Sequence, residues 1–155
     1  AVVMSDEISE ALAGKLHFNT FGGDPYQTLQ ALVCLDIIEE DNLMANIHAM
    51  GELFQDLLNG LKEKHQLVGD VRGKGLMIGV ELVRDRETKE PAFEETDQLM
   101  AACLGHGLMI GKTGPVFGAN GNVAKFKPAV NVTEEDAMEM VELFGRALRD
   151  VEAAL

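Results

Sequence analysis

Between Pro25 and about Asp41 the chain carries Leu29, Leu32, Val33, Leu35, Ile37 and Ile38, which on a helix would cover much of the circumference. A helix apolar on most sides is poorly suited to the surface of a small domain, so this pattern predicts a helix held between layers. Its start is marked by Asp24 and Pro25, the pairing expected at an N-cap and a first helical position, and Pro25 keeps Asp24 out of the α region. Leu43, Ile47, Met50, Phe54, Leu57 and Leu61 then recur at alternating steps of four and three, predicting an amphipathic helix to about His65. The repeat lasts under three heptads, which favours a helix laid on a sheet or a neighbouring helix over a coiled-coil seam.

After Gly69 the pattern changes. The apolar runs Leu76–Val83 and Leu108–Ile110 and the alternation over Val123–Phe126 predict strands. A helix is expected over roughly 94–105. A last one starts at Thr133, where Thr133 and Asp136 have capping-box spacing. From about residue 69 onward the chain is expected to form a small sheet covered by helices, an α+β unit. At the other end, Ala1–Met4 followed by Ser5–Ile8 suggests the end of a strand feeding a short capped helix that stops near Gly14.

The segment His17-Phe18-Asn19-Thr20-Phe21-Gly22-Gly23-Asp24-Pro25 combines a hydroxyl, two glycines and a helix start. Glycines let a backbone approach a ligand, and N–H groups at a helix N-terminus suit a phosphate. A tight turn leading into a helix would use the same residues, and spacing alone leaves both readings open.

Thirteen basic against twenty-six acidic residues give a formal net charge of −13, which disfavours nucleic acid and anionic membrane as partners. No apolar stretch is long enough to span a membrane, and no leader pattern is visible at the start. A cytoplasmic location is expected, or a mitochondrial one if a leader preceded this segment. Cys34 and Cys103 lie in apolar helical patterns and are expected to be buried free thiols of a reducing compartment.

Thr20-Phe21-Gly22-Gly23-Asp24-Pro25 resembles the T-F-G-G-N-P segment of class III aminotransferases, the pyridoxal-phosphate enzymes of fold type I. The resemblance continues through the helix after Pro25, the Gly-Asp-Val-Arg-Gly-Lys-Gly-Leu-Met segment at 69–77, and the stretch from Asn122-Val123 to Pro128. It implies an α/β to α+β chain. Residues 1–68 would be the tail of the large cofactor domain, with a short strand and long interdomain helices. Residues 69–155 would be the small domain, with a mixed or antiparallel sheet.

The family's cofactor lysine lies upstream of the T-F-G-G motif, so the chain is expected to be the C-terminal part of a longer enzyme and inactive alone. By position, Thr20 would hydrogen-bond the phosphate of the neighbouring subunit's pyridoxal 5'-phosphate, with Phe21 and Gly22 in the same cofactor-binding turn, which implies a homodimer. Family members often carry an arginine two residues after Asn-Val that binds the substrate carboxylate. Here Lys125 stands there, offering a point charge in place of a two-pronged donor, and Pro128-Ala129 replaces Pro-Pro. A structural Lys125, its stem packed on the sheet edge, is the alternative.

Other candidates carry less. The glycines around Arg72 lack dinucleotide or P-loop spacing, and no strand is expected before them. The Gly111–Gly121 loop, with Lys112 and Thr113, could border a substrate entrance or be a plain connection. His17, His48, His65 and His106 have no metal-ligand spacing. Lys15, Lys62, Lys64, Lys74 and Lys89 fall on polar faces or in turns, not in the buried setting of a covalent anchor. The resemblance therefore implies a transaminase passing an amino group from an amino acid or amine to a 2-oxo acid or aldehyde, closest to alanine–glyoxylate members. Decarboxylases, aminomutases and racemases share the motif, and a non-catalytic α+β ligand-binding module is the alternative from another class.

Overall fold

The computed structural model describes residues 2–16, 18–113 and 121–155. Elements run α1 (Asp6–Leu12), α2 (Pro25–Glu40), α3 (Leu43–Lys62), β1 (Val68–Lys74), β2 (Met77–Leu82), α4 (Phe93–Gly105), β3 (Gly111–Lys112), β4 (Val123–Phe126) and α5 (Glu134–Glu152). They fall into two compact units, residues 1–37 and 38–155.

The first unit holds α1 and most of α2, and neither helix has a buried residue. The expected strand at the start does not form: residues 2–5 have no regular structure, and Ala1 lies outside the described residues. A strand needs a partner ladder, and residues 2–5 pair with none among the described residues. The apolar circumference expected to place α2 between layers is left uncovered, with Tyr26, Leu29, Leu32 and Leu35 all more than half exposed. Cys34 is exposed for the same reason, against the expectation of a buried thiol.

The second unit is built on a four-stranded sheet of order β1-β2-β4-β3, with every pair antiparallel. Period-two alternation sends Ile78, Val80 and Leu82 of β2 and Ala124 and Phe126 of β4 into the core. Helices α3, α4 and α5 cover that face. Phe126 joins them, its ring 5.9 Å from Phe54 of α3 and edge-on at 5.1 Å to Phe144 of α5. Thr133 and Asp136 form the expected capping box, with each backbone N–H donating to the other's side chain at 3.1 and 3.2 Å.

Two expectations are corrected here and one strand is added. The glycine-rich segment around Arg72, absent from the strands the sequence predicts, forms β1, paired with β2 through a two-residue loop at Gly75 and Leu76. Gly75 has φ 53°, the left-handed value that the first loop position of such a hairpin needs. The strand expected at Leu108–Ile110 begins instead at Gly111. Leu108 donates its N–H to Cys103 and Gly107, at φ 88°, donates to Leu104, so the C-terminal cap of α4 consumes the first of these residues. Helix α3 stops at Lys62, short of His65. The side chain of His65 turns inward to Glu152 of α5, Nδ1 to Oε2 at 2.7 Å.

Candidate cofactor and substrate sites

In the first unit, Thr20, Phe21 and Gly22 lie in one tight turn. The Asn19 side chain accepts from the Phe21 N–H at 3.2 Å, its carbonyl accepts from Gly22 at 3.0 Å, and Asp24 donates to the Phe21 carbonyl at 3.2 Å. Gly23 takes φ 90°. A Cβ at Gly22 would sit 3.1 Å from that of Asn19, so a larger residue there would push the Asn19 side chain aside. Asp24 then caps α2, its Oδ1 accepting from Gln27 at 3.0 Å with Pro25 at the first helical position, as the sequence indicates. Thr20 is exposed at the head of this assembly. Asn19 escaped the sequence reading, although Asn two residues before a turn amide is a known turn-former.

In the second unit, Lys125 is the middle of β4 and points away from the buried face that holds Ala124 and Phe126. It is half-buried, opposite Gly79 of β2 on one side and Gly111 of β3 on the other. Its stem runs over Gly111, where a Cβ would meet Cε at 3.5 Å. Lys125 lines a cleft of about 260 Å³ with Gly111, Lys127, Pro128, Met109 and Met140.

The remaining titratable groups serve the scaffold. Burial acts to raise the Glu95 carboxyl, but its hydrogen bond from Arg84, 2.7 Å away, holds it below the usual carboxylate range. Arg72 is held above its ordinary value by hydrogen bonds to Asp70 and Glu81, an exposed network across β1 and β2. His106 pairs with Asp150 at 2.6 Å, and His48 with Glu52 at 3.5 Å. No metal-binding group of His, Cys, Asp and Glu exists among the described residues, and no described helix is long and apolar enough to cross a membrane. Lys15, Lys64, Lys74 and Lys89 are exposed, and Lys62 lies half-buried 4.0 Å from Asp70. Lys112 pairs with Asp97, and Thr113 bonds Val123. His17 and residues 114–120 of the Gly111–Gly121 loop lie outside the described residues.

The family model for class III aminotransferases matches residues 1–148, through both the Thr20 turn and the sheet that carries Lys125. The chain belongs to the class III aminotransferases. It is 43% identical over 142 residues to the mitochondrial alanine–glyoxylate aminotransferase 2 homolog 2 of Arabidopsis thaliana, covering 92% of this chain and 29% of that protein. It is 41% identical over 135 residues to the taurine–pyruvate aminotransferase of Bilophila wadsworthia, covering 86% and 30%. A Bacillus anthracis aminotransferase structure superposes with TM-score 0.84 at 37% identity, covering 94% of this chain and 34% of that one. The chain thus spans about a third of the length of these relatives.

Class III aminotransferases depend on pyridoxal phosphate. The Thr20 turn fits its phosphate: an exposed hydroxyl and glycine backbone stand two to five residues ahead of the N-terminus of a 16-residue helix, whose dipole favours an anion. The Asp24 carboxylate, the nearest acid in sequence, is turned onto its own helix cap.

Proposed function

We propose that this class III chain is the part of a pyridoxal-phosphate transaminase that follows the cofactor lysine, with residues 1–68 closing the large domain and 69–155 forming the small one. The observation that carries this reading is the family match running unbroken from the Thr20 turn to α5. When bound, the cofactor supplies the electron sink that lets an amino group leave one carbon and join another. Thr20 donates its hydroxyl to the phosphate of the neighbouring subunit's cofactor, Phe21 and Gly22 keep the turn narrow enough to reach it, and the working enzyme is a homodimer. Lys125 holds the substrate carboxylate as a point charge, less tightly oriented than an arginine fork. Donor and acceptor are an amino acid or amine and a 2-oxo acid, as the names of the aminotransferase relatives suggest.

A second reading within the same chemistry is favoured by the leucine/methionine racemase of Thermococcus litoralis, 37% identical over 152 residues. The test is to take the protein as its source makes it, record its visible absorbance and borohydride sensitivity, and offer it amino donors with and without 2-oxo acids. Amino transfer supports the proposal, and Thr20→Ala should then weaken cofactor retention about tenfold, the value of one charge-assisted hydrogen bond. Interconversion of enantiomers without an oxo acid would transfer the assignment to racemisation. A colourless protein that stays colourless with added pyridoxal phosphate would overturn both and leave an α+β ligand-binding module.

A further inference from the structure

We propose that Lys127 is a second anion-binding residue beside Lys125, and that the two ammonium groups together hold the carboxylate or sulfonate of a substrate with a short aliphatic body. The inference rests on the transaminase reading and deepens its substrate site.

The chain has a net charge of −13, yet residues 98–133 contain no Asp or Glu at all, while holding Lys112, Lys125 and Lys127. Lys112 is neutralised by Asp97 from α4. Lys125 and Lys127 form no ion pair among the described residues, and no carboxylate lines their cleft. Two cations with no ion-pair partner among the described residues therefore share a cleft that no carboxylate lines, in a strongly acidic chain. Such a cleft attracts an anion.

The shared cleft makes the pair act together. Lys125 within β4 and Lys127, one residue past the end of that strand, both line the cleft, while Phe126 between them is anchored in the core. The residues opposite Lys125 on both neighbouring strands are Gly79 and Gly111, so no cross-strand side chain covers its stem and the slot beside it stays open. Each ammonium is a compact charge whose three donors lack the fixed planar fork of an arginine, and two ammonium groups approaching from different points orient a carboxylate or sulfonate better than one. Met109, Met140 and Pro128 make the rest of the cleft apolar, and its volume of about 260 Å³ suits a small molecule. The larger hollow beyond Pro128 contains Asp136 and Glu139, which disfavours a long substrate with a second anionic end.

The experiment is a titration of the whole protein with butyrate and with butane-1-sulfonate, followed through the amide signals of Gly111, Lys125 and Lys127, with butylamine as control. The same proteins are assayed for amino transfer from carboxylate-bearing and carboxylate-free amine donors. Lys127→Gln and Lys125→Gln should each weaken butyrate binding about threefold to tenfold and raise the KM of the carboxylate donor alike, leaving the carboxylate-free amine unaffected. Lys89→Gln, the same charge change at an exposed lysine that does not line the cleft, should do neither. Butyrate binding unchanged by Lys127→Gln, in protein that still transfers amino groups, overturns this proposal and leaves the transaminase reading standing. Binding that depends on both lysines in protein that transfers none upholds the anion site and removes the transaminase reading. Equal weakening by Lys89→Gln would reduce the effect to bulk charge and overturn the pair.

Discussion

Two glycines on one helix should respond to alanine with opposite signs. Gly51 and Gly60 both lie within α3, where replacing glycine by alanine gains roughly 0.5–1 kcal/mol by restricting the unfolded chain and favouring the helix. At Gly60 a Cβ would meet nothing within 4 Å, so that gain should appear undiminished. At Gly51 the same Cβ would lie 2.7 Å from the Cα, carbonyl carbon and oxygen of Gly75, all backbone atoms of the β1–β2 loop. A backbone loop cannot swing aside as a side-chain tip can, and Gly75 is itself backed by Ile47 of α3, which a Cβ there would meet at 2.7 Å. Forcing the helix and hairpin apart costs about 1–3 kcal/mol, more than the helix gain, so Gly51→Ala should be net destabilising by ~1–2 kcal/mol. For a unit of this size the two variants should melt on either side of the wild type, separated by about 5–10 °C. Thermal unfolding followed by far-ultraviolet circular dichroism measures this directly. If Gly51→Ala stabilises as much as Gly60→Ala, the close approach of α3 to the hairpin does not exist in solution, and the packing of the sheet against α3 must be redrawn.

Thr133→Ala should cost about 1 kcal/mol by opening the α5 capping box. The side-chain and backbone hydrogen bonds from Thr133 hold the Asp136 carboxyl below its ordinary value, so their stabilisation is present above the unfolded carboxylate range and lost as pH falls through the folded value; the variant should show a shallower acid loss of stability in urea titrations at stepped pH. Burial pushes the Cys103 thiol up to about 11, so at pH 8 a thiol reagent should modify Cys34 alone in the native protein and both cysteines in guanidinium; two fast native equivalents would contradict the core. Glu152→Ala should leave the His65 ring and the Leu67 N–H without their partner, costing roughly 1–3 kcal/mol, and amide exchange at Leu67 should accelerate well before that of Val80.

The parts of the fold that were legible in the sequence are those in which one local rule decides the outcome. The spacing of Thr133 and Asp136 and the placement of Asp24 and Pro25 each satisfy free helix N–H groups within one turn, and both helices begin there. The four-and-three repeat of α3 and the alternation of β4 likewise carry their own periodicity, so the buried face and the position of Lys125 on the opposite one follow without tertiary knowledge. β1 was not legible, because Gly69, Asp70, Gly73 and Lys74 are weak strand formers and only the ladder with β2 makes them extended. Lys127 was overlooked for a related reason. Its meaning comes from the cleft it shares with Lys125 and from the glycines opposite Lys125, which are relations between strands.

The apolar circumference of α2 shows the reverse case, in which the sequence states a requirement that the chain itself does not meet. Leu29, Leu32, Val33, Leu35 and Ile37 remain 45–59% exposed, a continuous surface of the kind that soluble chains normally cover. The Thr20 turn opens onto the first residue of that same helix, capped by Asp24, so whatever surface packs against α2 also fixes the direction in which Thr20 presents its hydroxyl. On the function proposed above, phosphate binding by Thr20 and burial of α2 should therefore be coupled. A substitution such as Leu32→Asp, far from any phosphate contact, should lower cofactor retention together with subunit association, whereas Thr20→Ala should lower retention alone.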